Sequence, residues 1–269
     1  METKERYQEI WKYKAEDSHL HTHETTHLIV WSNGMSIAAY NQEGIPLEIK
    51  TFLGKKLWDI SLFKDLFQEE SLLKKSKLVK NIWWAEERNI IVPEQLYVKD
   101  YAEKWIRRFH FLEASENLHD YNLQPYLNAQ MVFPIAEEIE KLIQSNFSDA
   151  SIDALSKIAL SLPSESRTTT IKITNLPKVV LLSLQENGRN IYHQIAAYEN
   201  IQDIIYKIAI ILQEKDLNQN QIEIEIQGIA PFYNNILDEL KNFFVIKNTI
   251  TNTTLETLNF FKNLYKCAL

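Results

Sequence analysis

Glycine is scarce in this sequence: five residues in 269, at positions 34, 44, 54, 188 and 228. Loops that cradle phosphate need glycine where the backbone closely approaches the ligand, and neither GxGxxG nor GxxxxGKS/T occurs. Cysteine is nearly absent. Cys267 stands alone, so no intramolecular disulfide can form and stability must come from packing, which fits a reducing compartment. With no histidine near it in sequence, Cys267 reads as a helix-end residue rather than a catalytic thiol. Long apolar runs are missing too. The densest, IAIIL at 208–212, is far short of the ~18–20 residues a membrane span requires. The opening METKERYQEIWKYKAEDS is charged throughout and lacks the apolar stretch of a signal peptide. A basic excess is absent as well: the net charge is -7, which argues against a general nucleic-acid or anionic-membrane binder. Lys74, Lys75, Lys77 and Lys80 cluster, but Glu69, Glu70, Glu86 and Glu87 flank them, the pattern of a solvated helix end. These absences lead us to expect a cytoplasmic protein with no membrane span and no nucleic-acid partner.

Apolar material is ample. Hydrophobic residues make up 45% and charged residues 24%, ordinary globular composition at a length suiting two compact domains or one large one. The C-terminal third reads most clearly. Alternation marks Thr169–Thr174 as a strand, Asn175-Leu176-Pro177 as a turn and Lys178–Gln185 as a second strand. Asn187-Gly188 is a strong hairpin signal and leads into a third strand, Arg189–Ala196. Asn200 can cap a helix with Asp203 in its first turn, and Ile201, Ile204, Ile205, Ile208, Ile211 and Leu212 lie on one face. QIEIEIQG, 221–228, alternates as a fourth strand. A helix (Phe232, Ile236, Leu240), a short strand at Phe243–Asn248 and a last helix (Leu255, Leu258, Phe261, Leu264) follow.

The N-terminal half repeats that order. Strands are expected at His27–Asn33, Met35–Tyr40 and Ile45–Phe52, a helix over Trp58–Leu73, and a fourth strand at Lys77–Trp84. Beyond come a short extended IIVP, a helix over Asp100–Phe109, a strand at Ala129–Phe133 and a helix at Ile135–Asn146. Ile152, Leu155, Ala159 and Leu162 have helical spacing. Ser161–Thr169, rich in Ser, Thr and Pro, marks the best domain boundary.

A three-strand meander followed by αβαβα resembles the ribonuclease-H-like fold, and two copies resemble the actin-like ATPase superfamily. HLIVWSNGMSIAAYN, IIVPEQLY, MVFPIAEEIEKLIQSNF, AAYENIQDIIYKIAIILQEK and IEIEIQGIAPFYNNIL resemble a bacterial domain-of-unknown-function family of that fold. The resemblance implies an α/β protein with mixed sheets: a polar N-terminal segment (1–26) and two ribonuclease-H-like domains (27–163 and 164–269). It also implies a nucleotide between the domains, held by two hairpin turns that usually carry an acid and glycines, with a glycine pair meeting the adenosine. On this chain the first turn is Ser32-Asn33-Gly34, with one glycine and no acid. The second, Asn175-Leu176-Pro177, has neither, and Pro177 removes a backbone donor. The adenosine position falls on Gly228, with Ile229 where a second glycine is expected. Mg-nucleotide chemistry needs carboxylates for the metal and free N–H groups for the phosphates. Nuclease chemistry needs an acid in a domain's first strand to share a metal, and HLIVWSN and TTIKIT contain none.

Four of seven histidines crowd into HLHTHETTH, at His19, His21, His23 and His27, with Glu16, Asp17 and Glu24 beside them. On a strand the first three would share a face ~6–7 Å apart, whereas one metal ion draws its donors to ~2.1 Å. They therefore read as a surface edge strand or an ordered tail, and His27 as the packed start of the core strand. His110, His119 and His193 are isolated. Glu223, Glu225 and Gln227 put a polar face on the fourth strand of the second domain, expected to meet water or a polar partner rather than to form an acid pair. Trp83 and Trp84 send one indole to each face, one of them toward the domain interface or an exposed patch. The reading is a non-catalytic protein-binding or scaffold module with a protein partner, no catalytic or metal residues and no cofactor, ATP with magnesium being disfavoured. The alternative is a nucleotide-binding protein or weak ATPase using Ser32, Asn33, Gly34 and Gly228; a third is metal binding through the histidine segment.

Overall fold

The structure, a computed structural model, describes residues 7–18, 21–161, 168–229, 232–246 and 253–268, with backbone alone at 232–235 and 253. The first lobe opens with an edge strand, β1 (Tyr7–Lys14), which turns Tyr7, Trp11 and Tyr13 onto the core. A meander follows: β2 (Thr25–Trp31), β3 (Gly34–Tyr40) and β4 (Pro46–Gly54). Helix α1 (Ile60–Glu69) starts where Asp59 accepts the Ser61 N–H at 3.0 Å, and it buries Leu62, Phe63, Leu66 and Phe67. β5 (Val79–Ala85) then lies parallel to β2.

An insertion interrupts the repeat at this point. β6 (Ile90–Pro93), α2 (Ala102–Ile106), β7 (Glu116–Asn122) and β8 (Ala129–Ala136) build a separate sheet in the order β6-β8-β7. The chain returns to the main sheet through α3 (Glu137–Asn146) and β9 (Ser151–Ala154), and closes the lobe with α4 (Ser156–Ser161). The main sheet runs β1-β4-β3-β2-β5-β9. Three expectations change. The strand at Ala129 belongs to the insertion, not to the main sheet. The helical spacing of Ile152, Leu155 and Ala159 hides a strand, because the open edge of β5 takes Ile152 and Ala154 into a parallel ladder before the helix starts; Leu162 lies outside the described residues. The helix expected over 100–109 is confined to α2, preceded by a 3-10 turn at Lys99–Tyr101.

The second lobe follows the expected pattern closely. β10 (Thr169–Leu176), β11 (Val179–Glu186) and β12 (Arg189–Ala197) form the meander, and Asn187 (φ 50°) with Gly188 (φ 75°) makes the hairpin turn. Helix α5 (Ile201–Glu214) begins with a capping box between Asn200 and Asp203. β13 (Ile222–Gly228), α6 (Phe232–Leu240), β14 (Val245–Ile246) and α7 (Thr253–Cys267) complete it. The sheet order is β12-β11-β10-β13-β14. That matches β4-β3-β2-β5-β9 strand for strand, so the two lobes are the same unit twice.

The apolar clusters divide unequally. One lies on a single face of the second sheet, where Ile171, Ile173, Ile224 and Ile226 meet α5 and α6. The other fills the first lobe and continues across to Leu176, Val179, Leu181, Ile195 and Ile229 of the second. Helix α7 binds the lobes together. Phe260, Phe261 and Leu264 enter the shared cluster, and the Tyr40 hydroxyl donates to the Phe261 carbonyl at 3.0 Å. Tyr265 stacks on His27 (5.6 Å between centroids, 13° between planes) and lies against Gly44, where a Cβ would come 2.2 Å from its ring. Helix α4 adds a polar tie: Ser156 Oγ is 2.7 Å from His193 Nε2, whose Nδ1 is 2.8 Å from Ser183 Oγ.

Two predictions follow from this packing. Gly44 has φ +74° as well as the ring contact, so Gly44→Ala should lose about 2–3 kcal/mol in denaturant unfolding, while Gly54→Ala, free of the positive φ and facing only the flexible Leu62 side chain, should lose less. The second concerns pH. Burial pushes His27 down to about 4 and His193 down to about 3. From pH 6.5 downward the unfolded chain takes protons that these rings refuse, so stability falls as pH falls. Burial, with Glu87 beside it, pushes the Glu86 carboxyl up to about 8, so between 4.5 and 8 the folded chain keeps a proton that the unfolded chain releases, and stability falls as pH rises. His23, also lowered by burial, adds to these two, so the histidines outweigh one carboxyl below pH 6.5, while Glu86 dominates above it. Unfolding free energy should therefore decline on both sides of about pH 6.5; Glu86→Gln should flatten the alkaline decline.

Candidate functional site

The candidate site is the seam where the carboxyl ends of β2 and β5 approach the β10–β11 turn, the position at which α/β sheets place ligands. The first turn is covered by the connection from β4 to α1. The Gly54 N–H donates to the Asn33 carbonyl at 2.7 Å, and the Trp58 N–H donates to the Ser32 carbonyl. Trp58 adopts φ +49° there and lays its indole on Trp84, 4.9 Å away and 5° from parallel. Ser32 is buried. Gly34 has a packing reason to be glycine: a Cβ would fall 2.5 Å from the Trp31 ring and 2.6 Å from the Phe52 carbonyl. Neither Trp83 nor Trp84 reaches an exposed patch, each being 1% exposed.

The second turn is also enclosed. β10 runs on through Asn175 and Leu176, both fully buried and paired with β11, so the bend falls on Pro177 and Lys178 rather than on 175–177. The Tyr198 hydroxyl donates to Asn175 Oδ1 at 2.9 Å, with the Leu176 carbonyl at 3.0 Å. Lys178 takes φ +67° after Pro177 and donates to Glu199 Oε2 at 2.8 Å. Gly228 is brought onto this turn: with φ +133°, its Cβ would meet the Asn175 carbonyl at 2.0 Å. The Ile229 N–H then donates to that carbonyl at 3.0 Å. Ile229 is fully buried in the cluster that Leu176 and Val179 share with Trp31 and Trp84.

Carboxylates do approach the first turn, from a strand the turn sequences leave out. β2 and β5 are paired Trp31 to Ala85, which sets Glu86 and Glu87 just past the strand end next to Ser32. Glu86, 1% exposed, accepts from Arg88 Nε at 3.1 Å and from the Arg88 N–H at 3.0 Å. Arg88 also donates to Glu116 at 2.7 Å, so this acid holds the insertion to the main sheet. Among the described residues Glu87 Oε2 and Asn33 Oδ1 are buried without a hydrogen-bond partner. The pair was legible as EE directly after an apolar strand.

The other candidates lie apart. His21 Nε2 is 3.3 Å from Asp17, and His23 Nε2 is 2.7 Å from the Thr26 hydroxyl. Residues 21–24 are not a strand, because the edge position of the sheet is already held by β1; His19 lies outside the described residues. His27 packs inside β2, 3% exposed. Among the described residues no group of three or more His, Cys, Asp or Glu is placed to hold a metal. Glu225 and Gln227 face α7 across a cavity of about 500 Å3, lined also by Lys172, Glu256 and Lys262. Lys172 is 3.8 Å from Glu225, and Gln227 donates to Thr174 at 2.7 Å. That face therefore meets its own last helix. Among the described residues no helix is long and apolar enough to cross a membrane.

Comparisons with known proteins accord with this architecture. The chain is similar to a protein of Bacteroides thetaiotaomicron VPI-5482 described as having an actin-like ATPase fold and unknown function, at 18% identity and a TM-score of 0.68, covering 94% of this chain and 99% of that one. Weaker likenesses reach the PilM-PilN type IV pilus biogenesis complex (11% identity, 90% and 97% covered, TM-score 0.47). They also reach the cytoplasmic domain of EpsL, an inner membrane component of the type II secretion system of Vibrio cholerae (11%, 77% and 82%, 0.42). No curated protein matches the chain. Residues 22–246 match the family described as Protein of unknown function (DUF3822), so the chain belongs to that family and carries the actin-like ATPase fold.

Proposed function

We propose that this protein is a non-catalytic binding module that acts by engaging another protein, an actin-like scaffold whose nucleotide chemistry has been replaced by packing. One observation carries the reading: both turns at the phosphate positions are covered by the chain's own packing, the first with Ser32 buried beneath the connection in which Trp58 stacks on Trp84, the second with Asn175 and Leu176 fully buried against Ile229. A triphosphate needs free N–H groups and a cation needs carboxylates. Of the two acids beside the first turn, Glu86 is held by Arg88. A buried apolar seam is a poor receptor for a ligand of several negative charges, since burying them without matched donors costs far more than the seam could return. Among the described residues neither the metal nor the nuclease reading has a donor set on its side, and we assign the protein to the cytoplasm.

The alternative, a weak nucleotide-binding protein, has Glu87 and Asn33 in its favour, since each leaves a buried acceptor beside the first turn. Calorimetric titration with ATP and magnesium separates the two. No heat of binding at ligand concentrations up to a millimolar is expected. Micromolar binding that weakens in Glu87→Gln would overturn the proposal in favour of the alternative.

A further inference from the structure

The insertion carries the feature that the rest of the fold does not use. Its segment 94–112 covers one face of the three-stranded sheet: Ala102, Ile106 and Leu112 pack onto Ile90, Val92 and Val132. The outer side of the same segment is apolar as well. Leu96 is 60% exposed, Phe109 70% and Phe111 79%, and Val98 and Tyr101 are about half exposed. Isolated exposed apolar residues are ordinary, but five within sixteen consecutive positions form a patch of the kind that marks an interaction surface.

Cations are interleaved with these rings. Lys104 Nζ sits 4.6 Å from the Tyr101 ring centroid, and the Arg108 guanidinium 5.5 Å from that of Trp105. Helical spacing sets Tyr101, Lys104 and Arg108 along the exposed side of α2 and its flanks, while Trp105, half-buried, packs its ring against the cluster of Ala102 and Ile106. Arg107, exposed, holds the loop by donating to Glu103 at 2.7 Å and to the Leu112 carbonyl at 3.3 Å. Of the four Lys and Arg between Leu96 and Phe111, Lys99 pairs with Asp120 and Arg107 with Glu103, which leaves Lys104 and Arg108 against Asp100, a small positive island on a protein of net charge -7.

We propose that the outer side of residues 96–111 is the docking surface of the module, and that its occupant is an acidic amphipathic segment of a partner protein, presenting carboxylates to Lys104 and Arg108 and apolar side chains to Phe109 and Phe111. The charge pattern selects this occupant. The net negative charge of the rest of the chain opposes attraction to an anionic bilayer, so a lipid surface fits poorly. A peptide segment reaches the island alone. Aromatic side chains and Arg are the residue types that dominate protein interfaces. The inference rests on the protein-binding reading and narrows it to one surface.

The test is selection of random peptides displayed on phage against the intact protein. Enriched sequences should combine at least two Asp or Glu with aromatic or aliphatic residues. As synthetic peptides they should bind at least tenfold more weakly to Phe109→Ser/Phe111→Ser and to Lys104→Glu/Arg108→Glu, both variants keeping the parent melting temperature because the altered side chains are exposed. Peptides that are acidic but bind both variants unchanged would overturn this surface while leaving a protein-binding module intact. Neutral or basic sequences, or an empty selection, would overturn the stated occupant. Co-sedimentation with phosphatidylglycerol vesicles, lost in the phenylalanine variant, would overturn it in favour of lipid.

Discussion

Tyr265 lies on the bare backbone of Gly44, flanked by His27 and Tyr40, and that contact sets the relation of the two lobes. It belongs to the last helix of the second lobe and rests on the meander of the first. Because α7 also lies along β13, with Phe260 lining the cavity against Lys172 and Glu225, the helix cannot leave one lobe without disturbing both. The apolar cluster behind it is continuous from Trp31 and Met35 to Leu181 and Ile195. Separating the lobes would expose this surface at roughly 25 cal/mol per Å2, which favours a single closed arrangement.

The closed turns are a consequence of that continuity. In a two-lobed fold built around a ligand, the ends of the meanders are left polar and accessible. In this chain the ends are where the cores meet: Leu176 is buried at the end of β10 beside one turn, and Trp58 covers the other. Glycines that look like remnants of a nucleotide site have structural duties of their own. Gly34 admits the Trp31 ring, and Gly228 admits the Asn175 carbonyl. The scaffold thus keeps its architecture while its interior does a different job.

What could be read from the sequence was what local chemistry decides. Asn187-Gly188 and the Asn200–Asp203 cap are settled within a few residues, and the structure has both. The duplicated order was legible because alternating and helical apolar spacings succeed one another twice. Elements decided by distant partners were not. β9 is four residues long and becomes a strand only because β5 offers an open edge. β7, ENLHDYN, has no alternation and is held by its pairing with β8, whose Met131 and Phe133 are fully buried. The poverty of the two turns in acids and glycines was visible in their residues. Their closure was not, since the positive φ of Trp58 depends on a stack with Trp84, and Glu86 comes beside Ser32 only through the β2–β5 ladder.

Unity of the two lobes is open to a direct measurement. All six tryptophans lie between Trp11 and Trp105, so indole fluorescence reports the first lobe alone. The longest helices, α5 with 14 residues and α7 with 15, lie in the second and weight the far-ultraviolet circular dichroism toward it. Equilibrium unfolding in urea followed by both signals should give one transition with coincident midpoints and slopes. A fluorescence transition displaced from the dichroism transition, with a plateau between them, would mean that each lobe holds its own core, and would contradict the shared seam on which the closed turns depend.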